Sequence, residues 1–207
     1  NNNANGFYHI SALKIEYEEP AEKPVSTVFI DAAGTAALPT GWNRVVFNSA
    51  AAAVALADTN GTATGISLQI TTALNGTNTQ GTNSPTGDAA EFKPAGSDSC
   101  FGHNTAHATP ARPQGVARFS GLNTNVAYTF TFYASRMGAS DDRSALFSLA
   151  GLNSGSNSLN AAGNYAAVAA VSNILPQTNG AITLTAARGL SNNNGTEYFY
   201  IGAIKVS

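Results

Sequence analysis

The chain has 207 residues, of which 11% are charged, and a formal net charge of −2. Its 10 lysines and arginines are dispersed and form no basic cluster that could neutralise phosphates, so we expect no nucleic-acid partner. No apolar run reaches the roughly 18 residues of a membrane-spanning helix, so we expect no membrane span. Asparagine, threonine, serine and glycine supply neutral polarity instead of charge. This composition favours an exported β-protein, secreted or at the cell surface.

The first predicted element duplicates the last one. Residues 1–16 align without a gap with residues 192–207, so that Asn1 matches Asn192 and Lys14 matches Lys205. We therefore divide the chain into an extra strand that duplicates the closing strand (residues 1–17), a linker rich in proline and glutamate (residues 18–24) and a β-sandwich domain (residues 25–207).

The extra strand has the aromatic and aliphatic character of a paired strand. The residues expected to form this assembly strand are Phe7, Tyr8, His9, Ile10, Ala12, Leu13 and Ile15. Its backbone N–H and C=O groups need partners. Because the domain already has a closing strand of its own, we expect the extra strand to pair with a preceding copy in a tandem array or with a neighbouring molecule.

Within the domain, short segments of β-branched and aromatic residues alternate with turn residues. Strands are predicted at residues 25–30, 42–47, 65–71, 116–120, 128–134, 145–149, 164–172, 181–187 and 198–206. The segment 145–149 is expected to return as the hairpin partner of 128–134. Residues 75–113 are turn-rich, and a segment this long is either functional or contains strands without a clear signal. The pattern predicts an all-β, antiparallel β-sandwich of jelly-roll type.

Several segments carry a resemblance to a known family. They are Val28–Asp31 with Gly34, Trp42-Asn43, Gly61–Leu68, Phe119–Leu122, Tyr128–Arg136 and the closing Tyr198–Val206. Together they resemble the galactose-binding-like, carbohydrate-binding-module-like β-sandwich repeats of secreted bacterial surface proteins. The resemblance implies a jelly-roll fold and a glycan ligand.

A second resemblance rests on Gly121-Leu122 followed by the aromatic strand that begins at Tyr128. This pattern is similar to fibronectin type III and immunoglobulin-like sandwiches. There a tyrosine donates its hydroxyl to nearby backbone at a corner. Such domains are only about 100 residues long, and this length difference favours the jelly roll.

Sugar binding needs an exposed aromatic ring and fixed polar groups. The candidate contacts are Trp42, which is the only tryptophan, the adjacent Asn43, and Arg136 at the end of the strongest predicted strand. Trp42 could instead anchor the core. Arg136 could instead form a salt bridge with Asp141 or Asp142.

Metal and catalytic patterns are weak. The jelly-roll resemblance implies that a structural calcium ion could be held, for which Asp31 and Asp58 are the candidate donors, and no other cofactor is expected. His103 and His107 are four residues apart, but the segment has no helical period that would bring them to one face. No Gly-x-Ser-x-Gly nucleophile elbow occurs, and we expect no enzymatic activity and no catalytic residues.

The single cysteine, Cys100, excludes an internal disulfide and leaves either a small apolar residue or an intermolecular bond. From these patterns we expect a non-catalytic extracellular structural or adhesive repeat that assembles, by strand addition or as a tandem array, into a surface fibre or large adhesin. The alternative is a carbohydrate-binding module of a secreted polysaccharide-active protein. The expected partners are other copies of the chain or neighbouring repeats, together with glycans.

Overall fold

A computed structural model describes residue 14, residues 26–34 and residues 37–207. The predicted assembly strand and linker therefore lie outside the described residues, apart from Lys14. One 3-10 helix spans Gly87–Ala95. The strands are β1 Val28–Asp31, β2 Trp42–Arg44, β3 Val54–Ala57, β4 Ala63–Thr72, β5 Gly76–Asn78, β6 Ser99–Gly102, β7 Gln114–Ser120, β8 Tyr128–Tyr133, β9 Ser144–Ala150, β10 Ser154–Asn160, β11 Ala169–Ile174, β12 Ile182–Arg188, β13 Phe199–Ile201 and β14 Ala203–Val206.

The strands form two large sheets and one small one. The five-stranded sheet has the order β11-β8-β14-β1-β2, the six-stranded sheet β10-β9-β12-β7-β4-β3, and the small sheet β13-β6-β5. Among these named strands only β1 and β2 pair in parallel. The prediction of an all-β sandwich is confirmed. Over the described residues, no helix has the length and apolar character needed to cross a membrane.

The core lies between the two large sheets and is built by strand alternation. On β8, Phe130 and Phe132 are fully buried, whereas the intervening Thr131 points to the other face. Phe132 stacks on Phe147 of β9 at a centroid distance of 4.3 Å. Phe130 meets Phe119 of β7 edge to face at 5.1 Å. These aromatic pairs join the two sheets.

The closing segment, residues 192–207, occupies a central position in the fold. Its strand β14 lies between β1 and β8, with Val206 opposite Val28 on one side and Phe130 on the other. Its strand β13 pairs with β6 in the small sheet. We call this position, between β1 and β8 and beside β6, the closing place. A domain without an occupant there would lose the middle strand of its five-stranded sheet.

The predicted hairpin between residues 128–134 and 145–149 is wrong. β8 pairs with β11 and β14 in one sheet, and β9 pairs with β10 and β12 in the other. The polar segment that connects β8 to β9 is therefore a crossover between sheets. Both strands bury aromatic residues on one face, and packing those faces together removes more apolar surface from water than pairing the strands side by side.

The Tyr128 corner has the opposite hydrogen-bond direction from the fibronectin-like expectation. The Tyr128 hydroxyl accepts a hydrogen bond from the backbone N–H of Asn123 at 2.9 Å. Burial of the ring raises the pKa of the Tyr128 hydroxyl, although the Asn123 N–H acts to lower it. The tyrosine still fastens the loop before β8, as an acceptor.

Cys100 is a buried core residue. Its side chain is fully buried, and its thiol donates to the carbonyl oxygen of Ala32 at 3.2 Å. Burial raises the pKa of the thiol to about 11. An intermolecular disulfide through Cys100 is incompatible with this position, and the alternative of a small apolar residue is the one observed.

This burial predicts the reactivity of Cys100. Because the thiolate is the nucleophile, the native protein should react with less than a tenth of an equivalent of Ellman's reagent within an hour at pH 8. After unfolding in guanidinium chloride it should react fully within minutes. Rapid stoichiometric labelling of the native protein would show that the thiol is accessible.

Candidate functional site

The small sheet presents a row of aromatic side chains at one end of the sandwich. In β13, Phe199 and Ile201 point into the core and Tyr200 points the other way. Tyr198, which directly precedes the strand, has its ring centre 6.5 Å from that of Tyr200. Tyr200 lies directly opposite Phe101 of β6. The Phe101 ring contacts Tyr198 edge to face at 5.5 Å and lies 6.4 Å from the Tyr200 ring.

Arg143 is fixed over this row. Its Nη1 donates to the Tyr200 hydroxyl at 2.9 Å, and its guanidinium lies 5.8 Å from the centre of the Tyr198 ring. Its Nε donates to Asp141 at 2.9 Å. Loss of water would lower the pKa of Arg143, but the bonds to Asp141 and Tyr200 outweigh it and raise the pKa.

The Asp141 carboxylate is held on both sides. Arg143 donates to one of its oxygens and the Asn194 side-chain amide donates to the other. Desolvation acts to raise the pKa of Asp141, yet these hydrogen bonds together bring it below its usual range. Asp141 is therefore ionised at neutral pH and orients Arg143.

Arg136 lies near Arg143 but has different hydrogen-bond partners. Its backbone N–H donates to Ala161 at 2.7 Å, and its carbonyl accepts from Gly163 at 3.0 Å, which fixes the start of the crossover. Its guanidinium donates to the carbonyl oxygen of Met137. Within the described part of the chain no carboxylate forms an ion pair with Arg136. The predicted alternative, a salt bridge to Asp141 or Asp142, is not formed, because Asp141 pairs with Arg143.

These side chains line an open cavity of about 240 Å³, which we call the arginine–aromatic pocket. It is lined by Phe101, Tyr198, Tyr200, Arg136 and Arg143, together with Thr77 and Asn78 of β5. Aromatic rings supply flat apolar faces, and guanidinium groups supply planar pairs of donors. The pocket can therefore hold a small ligand that has an apolar face and an anionic or polyhydroxyl edge.

Trp42 and Asn43 do not line this pocket. Trp42 is half-buried on β2, at the edge of the five-stranded sheet, and stacks on Phe29 at 4.9 Å. Asn43 uses its amide to join the two large sheets, donating to the carbonyl oxygens of Phe29 and Ala57 and accepting from the Ala57 N–H. Of the three predicted glycan contacts, only Arg136 lies at the pocket. Glycan contact by these residues stays a prediction.

The two calcium candidates stabilise loops. Asp31 accepts from the N–H groups of Ala33 and Gly34 and pairs with Arg44 at 3.2 Å. Asp58 accepts from the N–H groups of two residues in the turn that follows it. Across residues 26–34 and 37–207, no group of three or more His, Cys, Asp and Glu side chains is placed to hold a metal ion.

His103 and His107 lie in different environments. His103 is buried and bonded to the carbonyl oxygen of Thr105 and the hydroxyl of Thr109, at 2.9 and 3.0 Å. His107 is exposed in the loop that follows. His103 thus stabilises the loop that continues from β6.

Most of the pocket residues carry no signal in the sequence that predicts a binding site. Phe101 lies in the segment predicted as a long turn-rich stretch, and Arg143 lies in the polar segment after residues 128–134, for which no binding role is predicted. The one usable signal was the alternation of Tyr198 and Tyr200 with core residues, which places two tyrosines on one face of a strand. Comparisons of the chain with models of protein families, with curated proteins and with solved structures found no match.

Proposed function

We propose that this protein is a non-catalytic extracellular structural or adhesive repeat, in which residues 1–17 occupy the closing place of another copy of the domain instead of that copy's own closing segment. That copy is either the preceding one in a tandem array or a neighbouring molecule. Repetition of this contact gives a fibre or a large adhesin.

The observation that carries the proposal is the agreement between the duplicated sequence and the burial of the closing segment. Six closing-segment residues from Phe199 to Val206 are at most 3% exposed: Phe199, Tyr200, Ile201, Ala203, Ile204 and Val206. The matching residues of the N-terminal segment are Tyr8, His9, Ile10, Ala12, Leu13 and Ile15. Five of these six are aromatic or aliphatic, and the sixth is His9. A strand of this composition suits a buried central position better than an exposed edge.

Two asparagines of the N-terminal segment match asparagines that stabilise the loop before β13 by hydrogen bonds. Asn192 donates from its amide to the carbonyl oxygens of Ser144 and Tyr198, at 3.1 and 2.7 Å. Asn194 accepts from the N–H groups of Thr196 and Tyr198. The N-terminal segment has Asn1 and Asn3 at these positions. The duplication thus retains the polar groups of this loop as well as the apolar ones.

A backbone feature supports the same proposal. Glu197 has a φ of 60°, which is unfavourable for a residue with a Cβ atom. The N-terminal segment has Gly6 at the matching position, and glycine adopts this conformation without the steric cost. Residues 1–17 are therefore at least as well suited to this turn as the closing segment itself.

The proposal can be tested by co-expressing two forms of the chain. A domain of residues 18–191 lacks any occupant for its closing place, and it should become soluble and folded when co-expressed with the full chain, which supplies residues 1–17. The measurement is co-purification through an affinity tag on residues 18–191, followed by circular dichroism. We expect a complex of one copy of each.

The matched control is co-expression with residues 18–207, which has a closed domain but no N-terminal segment. This control should leave residues 18–191 insoluble. Equal capture by both partners, or capture by neither, would contradict the proposal.

The arginine–aromatic pocket favours a second candidate function, that of a carbohydrate-binding module of a secreted polysaccharide-active protein. Aromatic faces beside fixed hydrogen-bond donors suit sugar rings. The two functions are compatible, because an adhesive repeat can bind glycans.

A further inference from the structure

We propose that the arginine–aromatic pocket binds an acidic sugar, a hexuronic acid unit of a glycan, with its carboxylate at Arg136 and the apolar face of its ring against Tyr198 and Phe101. This inference names the ligand class for the proposed carbohydrate-binding role. It is independent of the exchange of the N-terminal segment.

The charges in and around the pocket favour an anionic ligand. The pocket contains two guanidinium groups, and Asp141 is the one carboxylate that contacts them among the described residues. Asp141 is already shared by Arg143 and Asn194. The neighbouring Asp142 accepts from the backbone N–H and hydroxyl of Ser144. Among the described residues, Arg136 therefore has no carboxylate partner, and an anionic ligand can supply one.

The other partly buried cations of the described residues differ from Arg136. Arg143, Arg188 and Lys205 each form an ion pair with a carboxylate, at 2.9 to 3.2 Å. Arg136 is half-buried in a cavity without such a pair. A guanidinium in that position is poised for bidentate hydrogen bonding to a carboxylate.

The size and lining of the cavity favour a ligand with one ring. The cavity of about 240 Å³ lies below the ~300–1,000 Å³ of sites for drug-sized ligands. It therefore suits a single ring or the end of a glycan chain. Tyr198 and Phe101 are only partly buried, so their rings are accessible for contact with the C–H face of a sugar. A free carboxylate without a ring would leave these apolar faces unused.

The experiment is an NMR titration of the full chain at low salt with four probes. Two are acidic, the methyl glycosides of glucuronic and galacturonic acid, and one is neutral, methyl glucoside. The fourth is N-acetylglutamate, which carries carboxylates but no sugar ring. We expect millimolar binding of at least one acidic glycoside and at least about tenfold weaker binding of methyl glucoside and N-acetylglutamate, because a charge-assisted bidentate bond and the ring contact are both needed.

The variant Arg136→Gln should weaken binding of the acidic glycoside at least about tenfold. Arg118→Gln is the matched control, because Arg118 is exposed on β7 and its loss changes the net charge by the same amount. It should change the affinity less than twofold. If Arg136→Gln does not fold, Arg136→Lys takes its place, since it keeps the charge but loses the planar donor pair, and at least threefold weaker binding is expected.

Three results would overturn the inference. The first is that neither acidic glycoside binds. The second is that methyl glucoside or N-acetylglutamate binds as tightly as the acidic glycosides. The third is that the folded Arg136 variant binds the acidic glycoside with unchanged affinity. None of these results bears on whether residues 1–17 occupy the closing place, so the two proposals fail separately.

Discussion

A chain that ends at residue 191 should fold if it keeps residues 1–17 and should not fold without them. Removing residues 192–207 removes β13 and β14, which include the middle strand of the five-stranded sheet. The loss exposes apolar faces of β1 and β8 and leaves their backbone groups unpaired. The free-energy cost of these changes exceeds the marginal stability of a typical domain. Residues 1–17 restore the missing strand only if they occupy the closing place.

The geometry allows this rescue within one chain. Lys205 lies opposite Phe29 of β1, and in the rescued chain Lys14 would take the position of Lys205. The residues between Lys14 and Phe29 then form the return loop of an antiparallel hairpin, and the entropic cost of a loop this long grows slowly with length. At low concentration the chain of residues 1–191 should therefore be a folded monomer, and at high concentration it should exchange strands between molecules.

The measurement compares residues 1–191 with residues 18–191 by circular dichroism and urea unfolding, and analytical ultracentrifugation gives the mass. Residues 1–207 and 18–207 are the closed controls, and both should fold. An unfolded chain of residues 1–191, or a folded chain of residues 18–191, would show that the N-terminal segment does not replace the closing segment.

The second large effect concerns the contact between the two sheets. Phe132→Ala should lower the free energy of unfolding by about 3–5 kcal/mol. Phe132 is fully buried and stacks on the equally buried Phe147, so the substitution removes an aromatic pair and leaves a cavity that the rigid strands cannot fill. Urea unfolding followed by tyrosine and tryptophan fluorescence measures the change.

Tyr165→Ala is the matched control, because Tyr165 is 50% exposed in a turn. Its loss should change the free energy of unfolding by less than about 0.5 kcal/mol, as is usual for surface substitutions. If Phe132→Ala cost as little as Tyr165→Ala, the assignment of the core between the two large sheets would be wrong.

The strands with clear alternation were predictable from sequence. In β4 the buried residues Ile66, Leu68 and Ile70 alternate with polar ones, and in β12 the buried Ile182 and Leu184 do the same. Burial of one face of a strand imposes this period of two, so the pattern reports the structure directly. The all-β class follows from several such segments.

Both edge strands of the six-stranded sheet, β3 and β10, and the strands β5 and β6 of the small sheet were not predicted. β10 has the sequence Ser-Gly-Ser-Asn-Ser-Leu-Asn, and only one of its residues is buried. It lies at an edge of the six-stranded sheet and packs little apolar surface. β5, in the small sheet, has no fully buried residue. Where backbone pairing and not burial stabilises a strand, the side chains carry little signal.

The pairing of strands and the candidate site were the least predictable. β8 and β9 are adjacent in sequence, and local reasoning joined them as a hairpin, although the long-range pairs with β14 and β12 are the ones formed. The arginine–aromatic pocket depends on the same crossover, because it brings Arg136 and Arg143 to Tyr200. Arg136 was identified from its place at the end of a strand, whereas its neighbours are set by contacts that no sequence period encodes.

The most direct test of the account is a disulfide between the N-terminal segment and β8. Lys205 lies opposite Thr131 of β8, and directly opposed residues in antiparallel strands have Cα atoms ~4.5–5.5 Å apart, within reach of a disulfide. In the chain of residues 1–191, the pair Lys14→Cys and Thr131→Cys should therefore form a disulfide under mild oxidation, whereas Leu13→Cys with Thr131→Cys should not, because a shift of one residue turns the side chain to the other face. The buried Cys100 does not compete. No disulfide at Lys14→Cys, or equal formation at Leu13→Cys, would contradict the claim that residues 1–17 occupy the closing place.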